Sequence, residues 1–276
     1  MRTIVHLSDL HFGRLDARII RPLVDCIADV APDLIAISGD LTQRARTHQF
    51  HEARAFLNEL RFPTLVVPGN HDVPLFNVAA RLLDPFGGYR RHISGDLEPA
   101  HVDGEMAVLG LNTARALVGG GRGRLNVQQV DRAVRRLQQL GSDPMKVIVT
   151  HHPFDIPAGV SERQLVGRAT LAMSRLAAVG ADLFLAGHLH VSHVGRTAER
   201  YQIAGHSALV VQAGTLSTRG RGELNTFNVL RFARPEMTVE RYSWQTGERR
   251  FEQSFVGKFH HTRQGWTAQL LLDSGV

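Results

Sequence analysis

The stretch Leu34-Ile35-Ala36-Ile37-Ser38-Gly39-Asp40-Leu41-Thr42 decides the fold. Its first four residues are all apolar. A run that short, with no polar face, suits a strand buried on both sides in a helix-covered parallel sheet. Upstream, residues 2–9 alternate as a strand. Residues 17–30 place Ile19, Ile20, Leu23, Val24, Ile27 and Val30 at helical spacing before Ala31-Pro32-Asp33 stops them. Downstream, His48 to Leu60 reads as helix and Pro63 to Val67 as strand. The order β-α-β-α-β predicts parallel strands with right-handed crossovers. Ligands of such sheets collect beyond the carboxyl ends of the strands, where Asp9, Asp40 and Asn70 stand.

The pattern continues less regularly. A short helix over 76–83 leads into Pro85-Phe86-Gly87-Gly88-Tyr89, and residues 106–113 return to strand. The loop 119–123 holds three consecutive glycines and Arg122 but lacks the Gly-Lys-Ser/Thr ending of a phosphate-binding loop, so it reads as a surface connection. Asn126 to Leu140 is a helix with Asn126 as N-cap. Strand 146–150 delivers His151, residues 169–179 are helical, and strand 183–186 delivers Gly187-His188. Residues 193–203, 207–213, 226–232, 237–244 and 251–257 read as successive strands of an antiparallel sheet, and nothing is assigned from His261 onward. The expected architecture is a single α/β (α+β) domain, 1–276, of two sheets packed face to face and flanked by helices. Residues 1–200 form its core, and 201–276 supply strands and a candidate cap.

Composition fits an ordinary globular chain, with 43% hydrophobic and 21% charged residues. No apolar run approaches the roughly 18 residues of a membrane-spanning helix. The N-terminus enters a strand directly, without the apolar core of a signal peptide. The lone Cys26 excludes an internal disulfide and sits in an apolar stripe as an inert thiol, so a cytoplasmic location is expected. The formal charge of +6 comes from arginine, since only Lys146 and Lys258 are lysines. No dense basic run or interleaved aromatics accompany it, so nucleic acid is not the favoured partner.

The chemistry lies in the polar residues at the strand exits: Asp9, His11, Asp40, Asn70, His71, His151, His188 and His190. Carboxylate and amide oxygens with imidazoles suit Zn, Mn or Fe, whereas Mg prefers oxygen alone. Asp-x-His and His-x-His put alternate residues on one side of an extended chain.

The ordered set Asp9-Leu10-His11, Gly39-Asp40, Gly69-Asn70-His71-Asp72, His151 and Gly187-His188-Leu189-His190 resembles the calcineurin-like metallophosphoesterase superfamily. The resemblance implies a four-layer α/β/β/α sandwich of two mixed sheets, with a dinuclear metal site at the strand carboxyl ends. Asp9, His11 and His190 would hold one ion and Asn70, His151 and His188 the other, with Asp40 between them. His71 would be catalytic, protonating the leaving group of a phosphodiester attacked by a hydroxide, and Asp72 would orient His71 through its second ring N–H. Gln43 and Ala45 depart from the protein phosphatase form Gly-Asp-x-x-Asp-Arg-Gly, and Asp72 from its Glu. The resemblance runs instead to class III cyclic-nucleotide phosphodiesterases and bacterial glycerophosphodiesterases. Cyclic nucleotides of the cAMP type are therefore the expected substrates.

Alternatives are a glycerophosphodiesterase or broad phosphodiesterase, a nuclease, a lipid-linked pyrophosphate hydrolase, and a scaffold of the same fold. Substrate choice rests on loops 74–100, 114–125 and 153–168 and on the C-terminal residues. Arg44, Arg219 and Arg221 can serve as substrate contacts or as surface residues. Phe76, Tyr89 and Phe154 can stack on a base or pack. His152, His193 and His206 are not counted as ligands. Homo-oligomers occur among such relatives.

Overall fold

The computed structural model describes residues 1–117, 121–141, 144–203 and 205–273. Part of the glycine-rich loop expected at 119–123 lies outside these residues. The chain order is β1 (Arg2–Leu7), α1 (Ala17–Val30), β2 (Leu34–Ile37), α2 (Thr47–Glu59), β3 (Thr64–Val66), α3 (Val78–Leu83), α4 (Gly87–His92), β4 (Ala100–Val102), β5 (Met106–Gly110) and α5 (Val127–Gln138). It continues with β6 (Met145–Val149), α6 (Ala169–Ala177), β7 (Leu183–Ala186), β8 (His193–Arg196), α7 (Thr197–Arg200), β9 (Leu209–Gln212), β10 (Thr226–Ala233), β11 (Glu236–Gln245), β12 (Arg250–Thr262) and β13 (Gly265–Asp273).

Two mixed sheets stack face to face. The first has the order β13-β12-β11-β10-β1-β2-β3 and the second β4-β5-β6-β7-β9-β8. Strand alternation divides the apolar residues among three layers. In β2, Ile35 and Ile37 point outward to α1 and α2, whose Ile19, Leu23, Ile27, Phe50 and Phe56 cover them. Leu34 and Ala36 point inward to meet Val108, Val147 and Leu185 of the second sheet. On that sheet's far face, Leu109, Ile148 and Phe184 pack against α5 and α6. The result is helix, sheet, sheet, helix. Burial on both faces is why β2 has no polar residue.

Helix α1 spans the expected residues. Asp16 accepts from the Arg18 N–H at its start, and Ala31 in the left-handed region (φ 48°) closes it. The C-terminal half differs from expectation in its connections. β9 runs parallel to β7 in the second sheet, whereas β10 crosses back to pair antiparallel with β1. Residues 226–273 thus extend the first sheet. The strand expected over 193–203 turns into helix α7, and the unassigned tail contributes β13, pinned by buried Trp266. Among the described residues no helix is long and apolar enough to cross a membrane.

Candidate metal centre

Register brings the strand exits together. Leu7 lies opposite Ile37, and Ile37 opposite Val66. The chain therefore leaves β1, β2 and β3 side by side. The Asp9 N–H donates to the Gly39 carbonyl (3.1 Å) and the His11 N–H to the Asp40 carbonyl (2.9 Å), prolonging the pairing into the loops. In the second sheet Val149 lies opposite Leu185, and the Gly187 N–H donates to the His151 carbonyl (3.1 Å). Two approaches leave no room for a side chain. A Cβ on Gly69 would sit 2.1 Å from Asp40 Oδ1, and one on Gly187 1.7 Å from Ser8 Oγ.

The proposed ligands form two groups. In one, Asp9 Oδ1 is 3.1 Å from His190 Nε2 and 3.4 Å from His11 Nε2, and the two imidazole nitrogens are 3.1 Å apart. In the other, His151 Nε2 is 3.1 Å from Asn70 Oδ1, and the His151 and His188 ring centroids are 5.2 Å apart. Asp40 Oδ2 lies between them, 3.6 Å from His11 Nε2 and 3.3 Å from His151 Nε2. Its other oxygen, Oδ1, accepts from the backbone N–H of His71 at 2.8 Å.

These contacts fit a pair of metal ions. The Nδ1–H of His151 donates to the Ser38 carbonyl (2.8 Å) and that of His190 to the Arg219 carbonyl (2.9 Å). The Nε2 lone pairs are thereby turned inward, onto oxygens that are also acceptors. Two donors bound to one ion at about 2.1 Å stand about 3.0–3.4 Å apart, close to the 3.1–3.6 Å spacings found here. Asp9 Oδ1, fully buried, has no hydrogen-bond partner. Mixed N and O donors suit Mn, Fe or Zn.

The backbone is bent to present these groups. Asp9 (φ 53°), His11 (φ 46°), Asp40 (φ 53°), His188 (φ 74°) and His190 (φ 59°) all occupy the left-handed region. Each such non-glycine residue costs about 1 kcal/mol or more, so the surrounding hydrogen bonds must hold them. Ser8 Oγ and the His188 N–H both donate to Asp9 Oδ2 (2.6 and 2.9 Å), and Thr215 Oγ1 donates to the Asp9 carbonyl (2.8 Å).

Electrostatics separate the two kinds of ligand. Burial works against charge on Asp9, but the His11 and His190 rings facing its Oδ1 hold it well below the usual carboxylate range. Burial likewise opposes charge on Asp40, and attraction to His151 outweighs it. His151 shows the converse: burial disfavours its cation, yet the Asp40 carboxylate pushes it up to about 9. That proton is the charge a bound cation would replace. Burial, with repulsion from His151, pulls His188 down to about 3.

His71 sits at the cleft surface, but Asp72 does not orient it. The His71 Nδ1–H donates to the Gln43 carbonyl at 2.8 Å, and His71 Nε2 faces Arg219 Nη1 at 3.0 Å. Asp72 follows in a single tight turn, Asn70–Asp72, that points its carboxylate back into the loops. There it accepts from the N–H groups of Gly69 (2.9 Å), Leu41 (3.2 Å) and Thr42 (2.8 Å). The expected role for Asp72 is therefore replaced by a backbone clamp between the Asp40 and His71 loops. Burial lowers the His71 pKa, leaving the imidazole neutral near pH 7.

Other residues resolve by position. His152 lies beside His151 and His188, but its ring nitrogens meet Thr113 Oγ1 (2.8 Å) and the Gly121 carbonyl (2.6 Å). His193 pairs with Asp155. Tyr89 and Phe154 are fully buried, whereas Phe76 is exposed. Burial pushes the Cys26 thiol up to about 11, an inert group. Sequence reading missed Ser8, Ser38, Gln43 and Thr215 because they act through single hydrogen bonds or main-chain carbonyls. It also missed Gln164, whose Oε1 lies 3.0 Å from His188 Nε2; its loop, 153–168, was singled out, but within it only Phe154.

A cleft of about 360 Å³ opens over these groups, bounded by Asp40, Asn70, His71, His188 and His190 and by several arginines. The sequence model of the family described as Calcineurin-like phosphoesterase matches residues 2–192. The glycerophosphodiester phosphodiesterase GpdQ of Enterobacter lignolyticus is 28% identical over 166 residues, covering 55% of this chain and 58% of the relative. A probable cyclic nucleotide phosphodiesterase of Synechococcus sp. is 27% identical over 139 residues, covering 50% and 48%. The chain thus spans about half the length of the curated relatives it matches. A dimetal phosphatase from Danio rerio shares the fold, with a TM-score of 0.64 at 13% identity over 91% of this chain and 98% of that one.

Proposed function

Because the chain belongs to the calcineurin-like phosphoesterase family, we propose that it is a metal-dependent phosphodiesterase of small phosphodiesters, with 3′,5′-cyclic nucleotides the first class to test and glycerophosphodiesters the second. The observation that carries this reading is the placing of Asp40 Oδ2 between two donor groups, 3.6 Å from His11 and 3.3 Å from His151. When bound there, two ions supply an activated water and electrostatic stabilisation of a phosphoryl group. Asp9, His11 and His190 would hold one ion, Asn70, His151 and His188 the other, and Asp40 both. Arg219 Nη1, 3.0 Å from His71 and 3.3 Å from His11, is placed to hold a non-bridging phosphoryl oxygen. His71, neutral in the free cleft, takes up a proton as an anionic substrate enters and passes it from Nε2 to the leaving alkoxide.

The test is a manganese-supplemented panel of cyclic AMP, cyclic GMP, glycerophosphodiesters, a phosphomonoester and DNA, run on wild type and on His71→Ala. Turnover of a diester that falls about 10²-fold or more in the variant supports the reading. Hydrolysis of the monoester alone refutes it.

A further inference from the structure

The cleft holds more positive charge than its carboxylates balance. Arg44 enters it from the loop after Asp40, and Arg219 and Arg221 enter from the turn between β9 and β10. Asp40 is the one carboxylate among the described residues that line it. Elsewhere arginines meet acids, as in Arg2 with Asp33 and Arg200 with Asp155. Within the described residues no acid pairs with these three. The Arg44 guanidinium lies 5.2 Å over the exposed Phe76 ring. Arg219 reaches only imidazoles, and Arg221 is exposed. Arg81 and Arg115 also border the cleft, but they donate to the main-chain carbonyls of Pro74, Asn112, Ala114 and Ala116 and so shape its wall.

Like charges without counter-ions raise the free energy of the empty cleft, and an anion relieves it. Arg44 and Arg221 lie near enough to repel the Arg219 guanidinium, which Asp40 and Asp9 attract. Guanidinium groups match phosphate oxygens in shape and charge. The scissile phosphodiester carries one negative charge, and Arg219 already stands beside the donor groups that would receive it. Arg44 and Arg221 are left without an acceptor. A substrate with a cationic headgroup would meet repulsion here.

We propose that Arg44 and Arg221, beside Arg219, form a second phosphate subsite, so that the preferred substrate is a phosphodiester carrying a further phosphate group. The proposal rests on the phosphodiesterase reading for its catalytic test but not for its binding test. The catalytic test compares the p-nitrophenyl ester of thymidine 5′-phosphate with the same ester bearing a 3′-phosphate. A third ester, with a 3′-methylphosphate, separates a terminal phosphate from an internal linkage. In wild type with manganese the 3′-phosphate should raise kcat/KM about tenfold or more, mainly through KM. In Arg44→Ala/Arg221→Ala the ratio should fall toward one. A ratio near one in wild type, or an undiminished ratio in the variant, overturns the proposal.

The binding test uses calorimetry on metal-depleted protein. Thymidine 3′,5′-bisphosphate should bind wild type about tenfold tighter than thymidine 5′-phosphate, with the difference lost in the variant. Equal affinities in wild type overturn the subsite. If neither ester is hydrolysed, the phosphodiesterase reading fails, and calorimetry alone decides the arginines. Should the double variant not fold, the single variants Arg44→Ala and Arg221→Ala are measured instead, each lowering both ratios.

Discussion

Asp40 divides its work between two oxygens. Oδ1 accepts from the His71 backbone, 2.8 Å away, while Oδ2 faces both donor groups. Asp40→Ala should therefore remove metal from both positions, and elemental analysis showing two ions per chain would refute the shared role. His71 permits a sharper test, because p-nitrophenolate leaves without a proton and an alkoxide does not. His71→Ala should slow an alkyl phosphodiester about 10²-fold or more while slowing the p-nitrophenyl diester far less. Equal losses would assign His71 to binding rather than proton transfer. Gly187→Ala tests the packing: its Cβ would stand 1.7 Å from Ser8 Oγ and 2.4 Å from Asp9 Oδ2. It should weaken metal binding with little change in secondary structure, read by metal titration and circular dichroism. At this scale the sequence was informative where a residue type is itself the signal. Asp9, His11, Asp40, Asn70, His151, His188 and His190 stood out by chemistry and strand-exit position. The partner of His71 did not, because a Gln43 carbonyl is invisible in any side-chain pattern.

Loops and short elements show where pattern reading stops. Asp72 fastens the loop after β2 to the loop after β3 by accepting from three buried N–H groups. Burial, then repulsion from Asp40, pushes its pKa up to about 6 against those hydrogen bonds. Asp72→Ala leaves the three donors unpaired and should lower stability by about 2 kcal/mol or more, read from denaturant midpoints. Asp155 provides a pH test away from the ligands. Burial opposes its charge, but His193 and Arg200 hold the carboxyl below the usual range. A depressed carboxyl contributes stability that is complete above its unfolded value of 3.8 and is lost as pH falls through the folded one. Asp155→Asn should thus flatten the acid limb of stability below about pH 4, and an unchanged limb would remove Asp155 from the account. Helix α4 was illegible because it begins Gly87-Gly88, two poor helix formers. Tertiary contacts make it: the Tyr89 hydroxyl donates to the Val66 carbonyl (2.9 Å), and a Cβ on Gly88 would press 2.6 Å from Phe50. By contrast α1 and β2 were legible, since each carries its own periodicity and stop signals.

Across the whole molecule, the parallel half of each sheet was readable from short apolar runs, but the crossing of β10 from one sheet to the other was not. Strand partners at that separation are chosen by face-to-face packing, which leaves no local signature. Along most of their length the two sheets meet through an apolar layer. At the strand exits a different bond spans the gap: the His151 ring from the second sheet donates to the Ser38 carbonyl of the first, at 2.8 Å. Ions bound by Asp40 and His151 would add a further rivet across the same seam. Metal at a thousandfold excess over its Kd should stabilise the fold by about 4 kcal/mol. Chelation should then loosen the seam from one end only. Hydrogen exchange should quicken at residues 38–42, 69–72 and 150–152 and stay unchanged at the opposite rim, around Asp33, Lys146 and Asp182. Uniform loosening would mean that the apolar layer, and not this end, sets how the two sheets part.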